Sequence, residues 1–111
     1  MPIDRDRLTS LLDTELERFR REHPKSAAAH ERGRHSLVGG VPMPWMVKWA
    51  GGFPIYVESA QGAHLHCVDG HDYVDLSLGD TGAMSGHGPE ATLAAIGDQL
   101  SRGIKIGRAH V

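Results

Sequence analysis

GAHLHCVDGHDYVDL, residues Gly62–Leu76, is the stretch whose reading decides the fold. Gly62–Val68 and His71–Leu76 are two extended runs with Asp69-Gly70 between them. Asp-Gly is a strong signal for a two-residue hairpin, because that turn needs positive φ at both central positions. Alternation along the first run places His64, His66 and Val68 on one face and Ala63, Leu65 and Cys67 on the other. Just upstream, Phe53–Glu58 reads as another strand and Ser59–Gly62 as a turn. Downstream, GDTGAMSGHGPE (Gly79–Glu90) is a glycine-rich, almost uncharged loop that feeds a helix. Pro89 suits the first turn of that helix, and Glu90 lies favourably near its positive end. Leu93, Ile96 and Leu100 form its apolar stripe, and Gly103 is its natural stop.

On the N-terminal side, Val41–Trp49 carries Pro42 and Pro44, which forbid a regular ladder or helix. Met43, Trp45, Met46, Val47 and Trp49 nevertheless make it strongly apolar. Such a segment either lies under a partner surface or lines a ligand pocket. Gly39-Gly40 before it frees the backbone for unusual dihedrals. Further back, Asp4–Glu22 reads as an amphipathic helix. Leu8, Leu12, Leu16 and Phe19 form its stripe and Leu11 widens it. His23-Pro24 ends that helix, since proline disfavours helical geometry in the residue before it. Ser26 is the expected N-cap of a shorter helix over Ala27–Arg32, with Gly33 as its stop.

Composition narrows the class. With 111 residues, the chain is one small domain at most, or a piece of a larger one. The net charge of −2 mixes both signs, so no nucleic-acid or acidic-membrane preference follows. A single cysteine, Cys67, excludes an intrachain disulfide framework and suits a reducing cytoplasm. No apolar run approaches the roughly 20 residues of a membrane helix, and MPIDRDRLTS lacks the apolar core of a signal peptide.

Candidate chemistry is sparse. His64, His66, Cys67 and His71 invite a zinc reading, but Cys67 points away from the two strand histidines, so packed or solvent-facing histidines are preferred. Gly79–Gly88 could cradle a phosphate before a helix N-terminus, yet it matches neither common phosphate-loop pattern. A loop that needs glycine for close packing is the alternative. Asp80 is the one formal charge between Asp75 and Glu90, and it either caps a turn or faces a substrate. His87 reads as a packing or capping residue. No serine has a defensible His/Asp partner, and no context tunes Lys25, Lys48 or Lys105 as a reactive amine.

The motifs GGVP (Gly39–Pro42), Gly62-Ala63, Val68-Asp69-Gly70, Tyr73-Val74-Asp75 and Gly86-His87 together resemble the N-terminal part of class III pyridoxal-phosphate (PLP) aminotransferases, in the glutamate-1-semialdehyde aminomutase-like branch. The resemblance covers about Pro24 to Gly103. The sequence departs from the family pattern at four places. Cys67 stands where Asp is usual, His64 and His66 stand where aromatics are common, Gly88-Pro89 shortens the usual His-x-His-Pro, and Asp80 stands where the aminomutase branch tends to carry an aromatic.

The resemblance implies an α+β fragment of a PLP fold type I (α/β) subunit. Its N-terminal helices would be followed by a small antiparallel three-stranded sheet and the first helix of the main body. The implied segments are 1–38 (helical), 39–88 (substrate-side loop and sheet), 89–104 (first helix of the large domain) and 105–111 (a non-native tail). The tail KIGRAHV breaks the helical pattern and matches what a common sequencing adapter encodes. The implied activity of the whole protein is amino-group transfer between an amino acid and a keto acid, in a homodimeric cytoplasmic enzyme. An aminomutase or a stand-alone, non-catalytic binding module are the alternatives. Trp45 and Asp80 would be substrate-side residues, with Gly79–Gly86 as loop backbone near the site. The cofactor-linking lysine, the aspartate for the pyridine nitrogen and the phosphate loop come later in the family. This piece would therefore be inactive alone and would not hold PLP by itself, and no catalytic or metal residue is assigned to it.

Overall fold

The structure, a computed structural model, describes residues 3–48, 50–79 and 82–103. The element order is α1 (Arg5–Glu22), α2 (Pro24–Gly33), two short 3-10 turns (Val38–Gly40 and Pro44–Val47), β1 (Val57–Gln61), β2 (His64–Cys67), β3 (Asp72–Val74) and α3 (Glu90–Arg102). The strands form a three-stranded antiparallel sheet in the order β1-β2-β3. The chain divides into two compact units: Met1–Glu58 with His66–His71, and Ser59–Leu65 with Asp72–Val111. None of the described helices is long and apolar enough to cross a membrane.

In the first unit, α1 starts where Asp4 accepts a hydrogen bond from the Arg7 N–H at 3.0 Å and stops at His23, as the His-Pro pair predicts. Pro24 then opens α2 at its first position, where the missing N–H costs nothing. Phe19 stacks on His23 with ring centroids 4.3 Å apart and meets Phe53 at 4.9 Å, so α1 is joined to the segment before the sheet by aromatic contact. The His71 Nε2 lies 2.9 Å from the Glu22 carbonyl and its ring 4.9 Å from that of His23. His23 is only 5% exposed.

Ser26 does not cap α2. It sits at the third helical position, fully buried, and the cap is supplied from the hairpin by Asp69. The hairpin turn also differs from expectation. The Gly70 N–H bonds to Cys67 O and the Cys67 N–H to His71 O, both at 2.9 Å, so three residues, Val68, Asp69 and Gly70, form the loop. Only Gly70 takes positive φ, at 90°. A three-residue loop with glycine in the left-handed region replaces the two-residue turn, and Asp69 is thereby free to point at α2.

Phe53–Glu58 is not the first strand. Phe53 and Pro54 are buried and irregular, and β1 begins at Val57 and runs through Ser59–Gln61, which the sequence reads as turn. Proline lacks an N–H for the ladder, which moves the pairing downstream. Pro42 and Pro44 do exclude an α-helix, but Pro44 initiates the 3-10 turn to Val47. Gly39 and Gly40 take φ of 69° and 75° as expected.

The second unit has a small core. Ala83 is buried, while Leu93, Ile96 and Leu100 of the α3 stripe stay more than half exposed. The same is true of Leu8, Leu11 and Leu12 on α1 in the first unit.

Candidate functional site

Two carboxylates organise the described residues, and both are already fully engaged. In the first unit, the Asp69 Oδ1 accepts from the Lys25 N–H at 2.6 Å. Its Oδ2 accepts from the Ser26 N–H at 3.1 Å and the Ser26 hydroxyl at 2.5 Å. Ser26 Oγ in turn accepts from the Tyr56 N–H at 3.1 Å. Burial pushes the Asp69 carboxyl upward. The Ser26 hydroxyl, the two helix N–H groups and nearby His23 outweigh that and hold it below the ordinary carboxylate range.

In the second unit, Asp75 follows β3. Its Oδ1 accepts from the Ser77 and Leu78 N–H groups, both at 2.9 Å, and its Oδ2 from the Gly79 N–H at 3.1 Å. His87 Nε2 lies 2.6 Å from Oδ2. The two side chains are only 8% (Asp75) and 20% (His87) exposed. The bond to His87 is the main cause that holds the Asp75 carboxyl low, and the three N–H groups add to it against the opposing effect of burial. An ionised carboxylate only accepts, so His87 Nε2 carries the proton and donates. The turn these bonds hold is unusual, with Leu78 at φ 54° and Gly79 at φ 58°. Two consecutive left-handed residues point their N–H groups into one concavity, and Asp75 fills it.

Around this turn the chain closes on itself. Gly62 and His87 exchange N–H···O bonds at 2.9 and 2.7 Å, and the Asp75 N–H donates to Ala63 O at 2.8 Å. Gly86, at φ 91°, lies against Gly62 so closely that a Cβ there would be 3.2 Å from Gly62 Cα. The expectation of glycine for close packing therefore describes Gly86.

Of the two residues expected on the substrate side, Trp45 lies among the described residues. Trp45 stands on the Pro44–Val47 turn and is 56% exposed. Asp80 and Trp49 lie outside the described residues, as does the tail. A surface tryptophan contributes little to the stability of the chain that carries it. Trp45→Ala is expected to shift the urea midpoint of the 111-residue chain by no more than about 0.5 kcal/mol equivalent, measured by circular dichroism.

His64 is exposed and Cys67 is buried and free, and among the described residues no three His, Cys, Asp or Glu side chains group as a metal site requires. Sequence reasoning places Asp69 in a turn and Asp75 in a motif but gives neither the role of an organising carboxylate. Asp75 has a local signal, an aspartate just before a turn rich in small residues. Asp69 has none, since its partner Ser26 is 43 residues away.

No family model matches the chain. A glutamate-1-semialdehyde 2,1-aminomutase of Exiguobacterium sibiricum is 38% identical over 87 residues, which is 78% of this chain and 20% of that protein. The crystal structure of a glutamate-1-semialdehyde aminomutase from Pseudomonas aeruginosa matches with a TM-score of 0.83 at 43% identity, covering 93% of this chain and 23% of that one. The chain is a homologue of part of the glutamate-1-semialdehyde aminomutases, and its structure matches part of PLP-dependent aminotransferase fold type I. A variant of the Pseudomonas enzyme in complex with PMP matches this aminotransferase segment equally well, with a TM-score of 0.83 at 42% identity over 92% of this chain and 22% of that one. A β-phenylalanine aminotransferase from Variovorax paradoxus shares the fold, with a TM-score of 0.78 at 23% identity over 93% of this chain and 24% of that one. The segment thus spans about a fifth of the length of the relatives it matches.

The two organising carboxylates do not fit PLP. A pyridine nitrogen needs a free carboxylate, and Asp69 and Asp75 are committed to three and four donors. The concavity of N–H groups at Ser77–Gly79 is filled by Asp75. Lys25 contributes its backbone N–H to Asp69, and Lys48 is exposed.

Proposed function

We propose that the whole protein is a PLP-dependent enzyme that moves an amino group between an amino acid and a keto acid, and that the present segment is inactive alone. The observation that carries PLP-dependent amino-group chemistry is the 43% identity to a glutamate-1-semialdehyde aminomutase with a TM-score of 0.83 across 93% of the chain. The cofactor supplies the carbanion chemistry in such enzymes, and the protein binds and orients. In this reading residues 1–38 form a helical segment, 39–88 the substrate-side loop and small sheet, and 89–104 the first helix of the large domain. Residues 105–111 are a non-native tail. Trp45, Asp80 and the Gly79–Gly86 backbone border the substrate. Exposure of Met43, Trp45 and Val47 supports a homodimer that covers this strip. The free, buried Cys67 suits a cytoplasmic location.

A second reading has a specific observation behind it. Identity is 38–43% to proteins named as aminomutases and 23% to the β-phenylalanine aminotransferase. That favours amino-group transfer within one substrate. The experiment is to express the full reading frame, add PLP, and measure cofactor absorbance and turnover with and without a keto acid. A transaminase needs the keto-acid acceptor to turn over repeatedly, whereas an aminomutase turns over without it. A full-length product that takes up no PLP would defeat both readings. PLP uptake by the 111-residue chain alone would defeat the claim that the segment is inactive.

A further inference from the structure

We propose that Asp75 and His87 are positioning residues, whose side-chain bond closes a ring of contacts and fixes both ends of the glycine-rich loop. The ring has four bonds. The Asp75 N–H donates to Ala63 O, Gly62 and His87 exchange two backbone bonds, and His87 Nε2 returns to Asp75 Oδ2 at 2.6 Å. All of them lie within one unit. One end of the loop, Ser77–Gly79, is tied by its N–H groups to the Asp75 carboxylate. The other end, Gly86-His87, is tied to Gly62.

Three features make this more than a surface ion pair. The carboxylate is 8% exposed, so water is a poor substitute for its four donors. Leu78 holds a left-handed φ of 54°, which a leucine does not take without compensating bonds. Gly79 beside it is left-handed too, at φ 58°, a conformation that side chains rarely adopt. Asp75 acts on the loop both directly and through His87. The word positioning rests on the reading above that this loop borders a substrate. The ring and its effect on the loop do not.

The test is amide hydrogen exchange on the 111-residue chain, followed by NMR. Wild-type Ser77, Leu78 and Gly79 N–H groups are expected to be protected. His87→Ala is expected to speed their exchange about tenfold, the size of effect that loss of one charge-assisted hydrogen bond produces. His87→Gln places an amide nitrogen near the Nε2 position and is expected to restore protection to within about threefold of wild type. The α3 amides, in the same unit as the ring, serve as the internal reference for folding. Unprotected wild-type amides, no acceleration in His87→Ala, or a glutamine variant as fast as the alanine variant each overturns the proposal. No cofactor or substrate enters the experiment. Its failure therefore leaves the amino-group-transfer reading standing, and failure of PLP uptake by the full-length protein leaves the exchange result standing.

Discussion

Asp69→Ala is expected to destabilise the first unit by about 2–4 kcal/mol, read as a lowered urea midpoint. The side chain is a helix cap supplied across the sequence. Its removal orphans the Lys25 and Ser26 N–H groups at the start of α2 and leaves the Ser26 hydroxyl proton without an acceptor. Loss of a cap costs about 1 kcal/mol. A buried donor left unpaired adds about 1–3 kcal/mol, and Ser26 is 0% exposed. Asp69→Asn keeps one acceptor oxygen and is expected to recover roughly half of the loss. Ser26→Ala combined with Asp69→Ala should cost less than the two changes summed, since both remove the bond from the Ser26 hydroxyl to Asp69. Single and double variants within about 0.3 kcal/mol of additivity would show that the contact carries no coupling.

Acid should reproduce part of this effect. The carboxyls of Asp69 and Asp75 are both held below their ordinary value in the folded chain. A depressed carboxylate binds its proton less tightly in the folded state than in the unfolded one. Its contribution is therefore complete above the unfolded value near pH 4 and is lost as pH falls through the lower folded value. The urea midpoint should drop below about pH 4 as these two carboxylates are protonated, and Asp69→Ala should flatten that drop.

How much of the fold is legible in the sequence follows from how local each signal is. The end of α1 at His23-Pro24, the stop of α3 at Gly103 and the left-handed Gly39 and Gly40 depend on a few neighbouring residues. The hairpin is visible for the same reason, although its loop is one residue longer than the Asp-Gly signal implies. That extra residue has a distant cause, because Asp69 is recruited to α2. Ser26 misleads on the same account: its hydroxyl looks like a cap in sequence, but the helix starts two residues earlier, at Pro24. Sequence places strand β1 too early because Ile55 and Tyr56 are good strand formers by type. Val-Glu-Ser-Ala-Gln has little propensity of its own and pairs because β2 lies beside it. The candidate site is half legible. The glycine loop and His87 stand out, but the carboxylate that joins them does not. An aspartate at the end of a strand is common, and only the fold shows how many donors converge on it.

Gly86→Ala is expected to be the most damaging single-methyl change in the second unit, at about 2–3 kcal/mol, in the same urea assay. Two costs act together. Gly86 takes φ of 91°, a region that an L side chain enters only with strain of about 1–2 kcal/mol. The added Cβ would also stand 3.2 Å from Gly62 Cα and 3.3 Å from Gly62 O, and both are backbone atoms that cannot rotate away. Relief requires Gly62 to move, which stretches its 2.9 and 2.7 Å bonds with His87 and so disturbs the ring that holds the loop. Gly97 provides the opposite case. It lies inside α3 at an ordinary φ, with nothing within 4 Å of an added Cβ. Gly97→Ala should therefore stabilise by about 0.5–1 kcal/mol through helix propensity and the entropy of the unfolded chain. The same chemical change thus has opposite signs at two positions 11 residues apart by number. A Gly86→Ala chain as stable as wild type would mean that the close approach of Gly86 to Gly62 does not set the loop's geometry.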